Sequence, residues 1–296
     1  MTEDEVLQEK LNNFLLSVNP SEKTIGLAWC DISTGKFILN EISYEQLSDE
    51  FARINPSEIL VPDERCDKLV ISQEGSMTVE EVIKIHNISL TRRPCWFFDN
   101  ENGERVLKDY LGVESLQGYG CENLKIALGA AGALLKYLED TQKCALKNFD
   151  KVEVYNSNET MFLDRATRLC LEIQKTMREE NKQGALISVL DKTCTSMGGR
   201  LLSSWLSAPL KSVEKIKSRQ DGIKELLDSL LNMNKIRENL SMVQDIERLS
   251  SRIAYQRANA RDVLALKNSL KIVPELKKIL ENFNSAILNV IKEELV

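Results

Sequence analysis

Glycine and proline are spread so unevenly along this chain that its two halves cannot be built alike. Of 13 glycines only four (184, 198, 199 and 222) lie beyond residue 143, and of six prolines only two (209 and 274). Inside a helix, glycine costs about 1 kcal/mol relative to alanine and proline about 3 kcal/mol. The second half is therefore free to run in long helices, while the first must be cut into short elements. With 43% hydrophobic residues over 296 positions, both halves can build a core.

In the first half, apolar runs at Asn13 to Val18, Thr24 to Ile32 and Lys36 to Ile42 read as strands, with Ser33-Thr34-Gly35 a tight hairpin between the last two. Leu47, Phe51 and Ile54 then fall at helical spacing, closed by Pro56. Ser57 to Val61 reads as a strand, Val79 to Ile85 as a helix and Ile88 to Arg92 as a strand. The order β-β-β-α-β-α-β predicts a mixed sheet flanked by helices. A short helix from Arg105 to Leu111, stopped by Gly112, leads through the Gly118-Tyr-Gly120 turn. The helix that follows, Leu124 to Leu138, carries Gly129-Ala-Ala-Gly-Ala133, a smooth surface for close packing.

The second half is helical by pattern, with one extended piece at Lys151 to Tyr155 and a helical segment over Leu163 to Ile173. Three apolar series follow: Val213 to Leu230, capped by Ser212; Ile236 to Ile253; and Val263 to Leu280, which Pro274 kinks or restarts. A last series, Phe283 to Leu295, meets no stop signal, so the chain is expected to be a piece of something longer. The fold class read from these patterns is α/β followed by all-α, divided into residues 1–143 and 144–296.

Several classes of function are disfavoured. No apolar run nears the roughly 20 residues of a membrane helix, and Met1-Thr-Glu-Asp-Glu-Val lacks a signal-peptide layout, so a cytoplasmic protein is expected. The seven cysteines lie more than twenty residues apart with one histidine in the chain, which argues against zinc and disulfides. Residues 1–143 carry 14 Lys+Arg against 25 Asp+Glu (−11), and residues 144–296 carry 25 against 20 (+5), matching the net −6. The basic half permits phosphate contact without demonstrating it, and solvated helix faces are the preferred explanation. No phosphate loop or dinucleotide fingerprint occurs. His86, at the end of a polar helix, reads as an exposed residue. Asp31, at the end of an early strand in a ribonuclease-H-like order, is the one carboxylate that invites a divalent-metal nuclease, with Glu58, Asp63 and Asp99 as candidate partners. It fits a turn-bonding role as well.

The densest stretch of local signals is Asp191-Lys-Thr-Cys-Thr-Ser-Met-Gly-Gly-Arg-Leu-Leu-Ser-Ser-Trp-Leu-Ser-Ala-Pro-Leu210. Thr195 or Ser196 caps a helix whose Met197, Leu201, Leu202, Trp205 and Leu206 form one apolar face, and Pro209 stops it. Gly198 and Gly199 in the first turn imply that something approaches closely. The polar cluster Asp191, Thr193, Cys194 and Arg200 invites a catalytic reading, but the glycines and the proline are packing devices. No catalytic, cofactor or metal residue is assigned.

Leu190 to Leu210, followed by Ile216 and Arg219-Gln-Asp-Gly-Ile223, resembles the core-domain signature of the MutS mismatch-repair family, with Asp191, Thr193, Thr195, Met197, Gly198, Arg200, Leu201, Trp205, Pro209 and Arg219 as its signature positions. Leu163-Asp-Arg-Ala-Thr-Arg-Leu-Cys-Leu-Glu-Ile173 is similar to that family's entry to the core, Gly26-Leu-Ala-Trp-Cys-Asp-Ile-Ser-Thr-Gly-Lys-Phe37 to its connector domain, and Tyr119-Gly-Cys121 to the connector's exit. The resemblance covers nearly the whole chain and favours the bacterial line. It implies an RNase-H-like connector without nuclease chemistry, then a helical core whose levers couple a nucleotide site to a DNA clamp; rigid helices hinge at glycine and proline positions, and Gly118, Gly120 and Pro209 are the joints expected here. It also implies that the mismatch reader, the clamp and the ATPase lie outside these residues. For the full-length protein it implies ATP or ADP with Mg²⁺, mismatched double-stranded DNA, MutL and a homodimer; for this chain alone, a monomer or weak dimer. A helical adaptor unrelated to DNA is the remaining alternative.

Overall fold

A computed structural model describes residues 9–63, 78–142, 149, 151–178 and 181–295. It divides into an α/β unit, Asn12–Asn156 with Asp164–Ala166, and a helical unit, Met1–Leu11, Ser157–Leu163 and Thr167–Val296. The division expected after residue 143 falls among residues outside the described set.

The α/β unit contains β1 (Leu15–Pro20), β2 (Ile25–Asp31), β3 (Lys36–Ile42), α1 (Leu47–Ile54), β4 (Glu58–Pro62), α2 (Val79–His86), β5 (Ser89–Arg93), α3 (Asn100–Leu111), α4 (Lys125–Gln142) and β6 (Glu153–Val154). The sheet order is β5-β4-β1-β2-β3-β6, with β1, β2 and β3 antiparallel and β4 and β5 joining parallel to β1. That is the ribonuclease-H-like layout expected. The β2–β3 hairpin closes where Thr34 and Gly35 donate to the Asp31 carbonyl (3.2 and 2.9 Å), with Gly35 at φ 75°. This left-handed conformation is why a glycine stands there. The extended piece expected in the second half, Lys151 to Tyr155, supplies β6, which pairs parallel to β3 at the sheet edge. A parallel partner needs a crossover, and α4 lies in it.

β1 and β2 are buried along their whole length because both faces of the sheet are covered. On one face, Leu16, Val18, Leu27 and Trp29 pack with Phe51 and Ile54 of α1 and Val82 and Ile83 of α2. On the other lies α4. A Cβ on Gly26 would overlap the backbone of Ile126 and Ala127. The Glu41 carboxylate accepts from the first amides of α4, Ile126 (2.8 Å) and Ala127 (3.1 Å), where the helix dipole favours an anion. Asn19 Nδ2 reaches Phe98 O, Asn100 Oδ1 and Ile126 O at 3.0 to 3.1 Å. These contacts explain the glycine-alanine run: α3 crosses α4 so closely that a Cβ on Gly132 would stand 2.5 Å from Gly103 Cα.

α3 begins five residues earlier than its expected start at Arg105, because Asp99 caps it by accepting from Asn102 N (2.8 Å). Asp-Asn-Glu-Asn-Gly reads locally as a turn, and only the contact with α4 gives Gly103 a reason to be helical.

The helical unit holds most of α5 (Arg165–Cys170), then α6 (Leu186–Leu190), α7 (Ser196–Ser207), α8 (Val213–Asp228), α9 (Leu230–Ser241), α10 (Ile246–Ala254), α11 (Ala260–Leu270), α12 (Val273–Leu280) and α13 (Ala286–Glu294). The apolar series do not map one to one onto helices. The second is shared between α9 and α10, and the third between α11 and α12, which Pro274 restarts from its first turn. Ser212, Asp245 and Asn259 cap α8, α10 and α11. Leu280, Phe283 and Leu288 form a small core against Leu226, Ile236 and Ile287, and Gly222 of α8 admits α13, since a Cβ there would meet Ile287 Cγ2 at 2.6 Å.

The α3–α4 crossing is testable. Gly132→Leu should lower the stability of the α/β unit by about 3 kcal/mol or more in urea denaturation, an upper-range overpacking cost. Gly118→Ala, where nothing lies within 4 Å of a Cβ, should leave the midpoint unchanged. Equal midpoints for the two variants would refute the crossing.

Candidate functional site

α7 is capped as its sequence predicts: Thr195 Oγ1 accepts from Gly198 N at 3.0 Å. It ends at Ser207, and Ala208 before Pro209 takes a non-helical conformation (φ −138°, ψ 73°). Its buried face, however, is not the expected one. Leu201 and Trp205 are exposed, Met197, Leu202 and Leu206 only half-buried, and the residues turned inward are Gly199, Arg200, Ser203 and Ser207. The reason is a polar interior: Gln174 Nε2 donates to Ser203 Oγ (3.1 Å), and Arg200 is the residue around which the helix is seated.

The Arg200 side chain is fully buried. It donates to Asp245 Oδ2 and Oδ1 (2.7 Å each), to Glu247 Oε2 (2.7 and 3.2 Å) and to the Glu9 carbonyl (2.8 Å). Burial alone would lower the guanidinium pKa, but its hydrogen bonds to both carboxylates outweigh that and raise it. Asp245 is likewise held below the usual carboxylate range: its burial is overcome by the Arg200 hydrogen bonds. Arg248, one turn on, donates to the Leu11 carbonyl at 2.9 Å.

Asp191 makes a second centre just before α7. It accepts from Thr193 Oγ1 (2.7 Å) and N (3.3 Å), and pairs with Lys10 and Lys182 at 3.0 Å each. Its burial opposes ionisation, yet the hydrogen bonds from Thr193, Lys182 and Lys10 hold its pKa far below the ordinary value. Lys10 also donates to Thr193 O, and its aliphatic stem fills the space left by Gly199, where a Cβ would come within 2.9 Å of Lys10 Cβ. The close approach implied by the two glycines is thus made at Gly199, by Lys10. Arg219 stacks on Trp205, 3.5 Å from the ring centroid, and half-burial lowers its pKa. Pro209 O accepts from Met161 N at 2.6 Å.

The carboxylates named for a metal nuclease do not converge. Asp31 is buried, with Oδ1 accepting from Ser33 N (2.9 Å) and Oγ (2.7 Å) and Oδ2 from Asn13 N (3.1 Å). Glu58 accepts from Thr91 and Tyr137 hydroxyls at 2.7 Å each, Asp99 caps α3, and the Asp63 side chain is exposed. Among the described residues no three His, Cys, Asp or Glu form a metal-holding group. Divalent-metal chemistry does not fit this donor set. His86 is half-buried rather than exposed, its Nε2 3.3 Å from Ser48 Oγ and its ring edge-on to Phe51; burial is the main cause of its lowered pKa.

Lys10, Asp245, Glu247 and Arg248 escaped the sequence reading. The one signal for Asp245 was its place as the cap before Ile246-Glu-Arg; nothing local ties residue 10 to residue 191.

An RNase-H-like α/β unit in which Asp31, Glu58 and Asp99 are engaged in turn, strand and cap hydrogen bonds is joined in one chain to a helical unit built around a buried ion-pair node. The chain belongs to the MutS family. The family models for MutS domain II and MutS domain III match residues 13–150 and 166–295. The DNA mismatch repair protein MutS of Lachnoclostridium phytofermentans is 35% identical over 294 residues, 98% of this chain and 31% of its own length. That of Alkaliphilus oremlandii is 36% identical over 287 residues (96% and 32%), and that of Trichodesmium erythraeum 37% over 297 residues (99% and 33%). The chain spans about a third of the length of these curated relatives.

Because Asp191 and Asp245 ionise more readily folded than unfolded, their contribution is complete above about pH 5 and is lost as pH falls through the unfolded value near 4 and below. The helical unit should therefore weaken steeply on acidification from pH 5 to 3, and Asp191→Asn should flatten that slope; an unchanged slope would exclude Asp191 as a source. Arg200→Met, which strips a buried pair of one partner, should cost about 3–5 kcal/mol in chemical denaturation.

Proposed function

We propose that this chain is the connector and core/lever part of a mismatch-repair MutS machine, and that its work is mechanical. Coupling passes between a DNA-clamping end and an ATPase end that lie outside these residues, and the connector offers a surface to MutL. The observation that carries this reading is the match to two MutS domains, in order, on a chain in which no three His, Cys, Asp or Glu among the described residues form a metal-holding group. Packed helices suit such a role because they shift as rigid bodies about a few joints. Gly118, within a short 3₁₀ turn, and Gly120, at its end, each with nothing within 4 Å of a Cβ, and Pro209, just past the end of α7, are the proposed joints.

In this reading ATP or ADP with Mg²⁺, mismatched double-stranded DNA, MutL and a second subunit are partners of the longer protein, in the cytoplasm. No helix among the described residues is long and apolar enough to cross a membrane. The 296 residues hold no phosphate loop. No nucleotide chemistry is assigned to them.

The purified chain should neither hydrolyse ATP nor prefer a mismatched over a matched duplex in a gel-shift titration, and light scattering should give a monomer or weak dimer. Measurable ATPase activity or mismatch discrimination by this chain would falsify the division of roles.

A further inference from the structure

The chain passes between the two units four times, and the helical-unit segments at those passages are residues 9–11, just before Asn12, residues 157–163, just after Asn156, and the chain from Thr167 on. Each is fastened to α7 or its immediate flanks. At the front, the Glu9 carbonyl is held by Arg200, and Lys10 pairs with Asp191 and packs on Gly199. At the rear, Met161 N donates to Pro209 O (2.6 Å), Lys211 N donates to Glu159 O (3.0 Å), and Thr160 and Leu210 bridge antiparallel. Arg168 adds a third fastening, donating to Leu163 O (3.0 Å) and Ser207 O (2.6 Å).

We infer that α7 is a mounting shared by these tethers, with Arg248 of α10 adding a hold on the Leu11 carbonyl and Lys215 of α8 one on Glu159, so that loosening the front of the helix also loosens the tether at its rear. α7 is twelve residues, about 18 Å of rigid rod at 1.5 Å each, with the front contacts at its first turns and the rear ones just past its end. Neither fastening depends on side chains of the α/β unit: the front one is built from Arg200, Asp245, Glu247 and Asp191, the rear one from main-chain bonds at Pro209 and Lys211. A displacement of α7 is passed to both tethers together. For its functional meaning this deepens the coupling reading and rests on it, but the mounting is a property of the chain itself.

Amide hydrogen exchange on the 296-residue chain tests it. Lys10→Met removes the Lys10 contacts to Asp191 and Thr193 O at the front of α7 and touches nothing at the rear. The Met161 and Lys211 amides should then exchange about tenfold faster or more, as a locally opening cooperative unit does, while amides paired between β2 and β3 keep their wild-type rates. Asp245→Asn, which weakens the seat of Arg200, should give the same pattern more strongly. Unchanged rates at Met161 and Lys211 in Lys10→Met overturn the inference, because the tethers are then independent. Equal acceleration of the β2–β3 amides in that variant overturns it too, because the tethers then form no unit of their own. The experiment needs neither nucleotide nor DNA, so the mounting can fail while the coupling reading stands, and the reverse.

Discussion

A guanidinium taken wholly out of water must be met by charge and by well-aimed acceptors, or the fold does not form. Arg200 satisfies this by gathering Asp245 and Glu247 from the start of α10 and the carbonyl of Glu9 from the segment ahead of the α/β unit. Three stretches of chain far apart in sequence are fixed to one another by one side chain. Hydrophobic packing tolerates slippage, whereas a bidentate pair at 2.7 Å has a single register. The helical unit needs that discipline because its apolar core is small.

The α/β unit is held by a different principle. Its sheet is buried on both faces, and its tightest joints are places where a side chain is missing: Gly26 under α4, and Gly103 against Gly132. Polar groups there finish the packing. Glu41 satisfies the first amides of α4, and Asn19 gathers three acceptors, two at the entry to α3 and one from α4. Asp31 belongs with them: it ties Asn13, ahead of β1, to the turn after β2. A position that would suit a metal ligand in this topology has become a clasp, with both carboxylate oxygens engaged.

What was legible in the sequence follows from range. The strand and helix order of the α/β unit, the Gly35 hairpin, the Thr195 cap and the Pro209 stop are set by neighbours within a few residues, and each stands as read. The inward face of α7 was misread because periodicity assumes that apolar residues turn in. Here Ser203, Ser207 and Gly199 turn in to let Gln174 and Lys10 approach, and Leu201 and Trp205 are left outside. Lys10 with Asp191, and Arg200 with Asp245, are separated by many residues and share no motif, so no local pattern could pair them. β6 was legible as a strand, but its partner β3 lies more than a hundred residues earlier.

The glycines at 198 and 199 show how the two kinds of information combine. Two glycines in a first turn weaken a helix, and that cost alone signals a close neighbour without naming it. Gly198 serves the cap, donating to Thr195 Oγ1; Gly199 makes room for Lys10, whose ammonium then reaches Asp191. With a side chain at 199, Lys10 could not lie against the helix and Asp191 would lose one of its two cations. The signature Thr-Ser-Met-Gly-Gly-Arg is therefore one device: a cap that starts the helix, a gap that admits the incoming chain, and a buried cation that grips its main chain one residue earlier. Cap, gap and grip fall within about a turn and a half, so the incoming chain cannot shift along α7 without breaking its contacts at both Gly199 and Arg200.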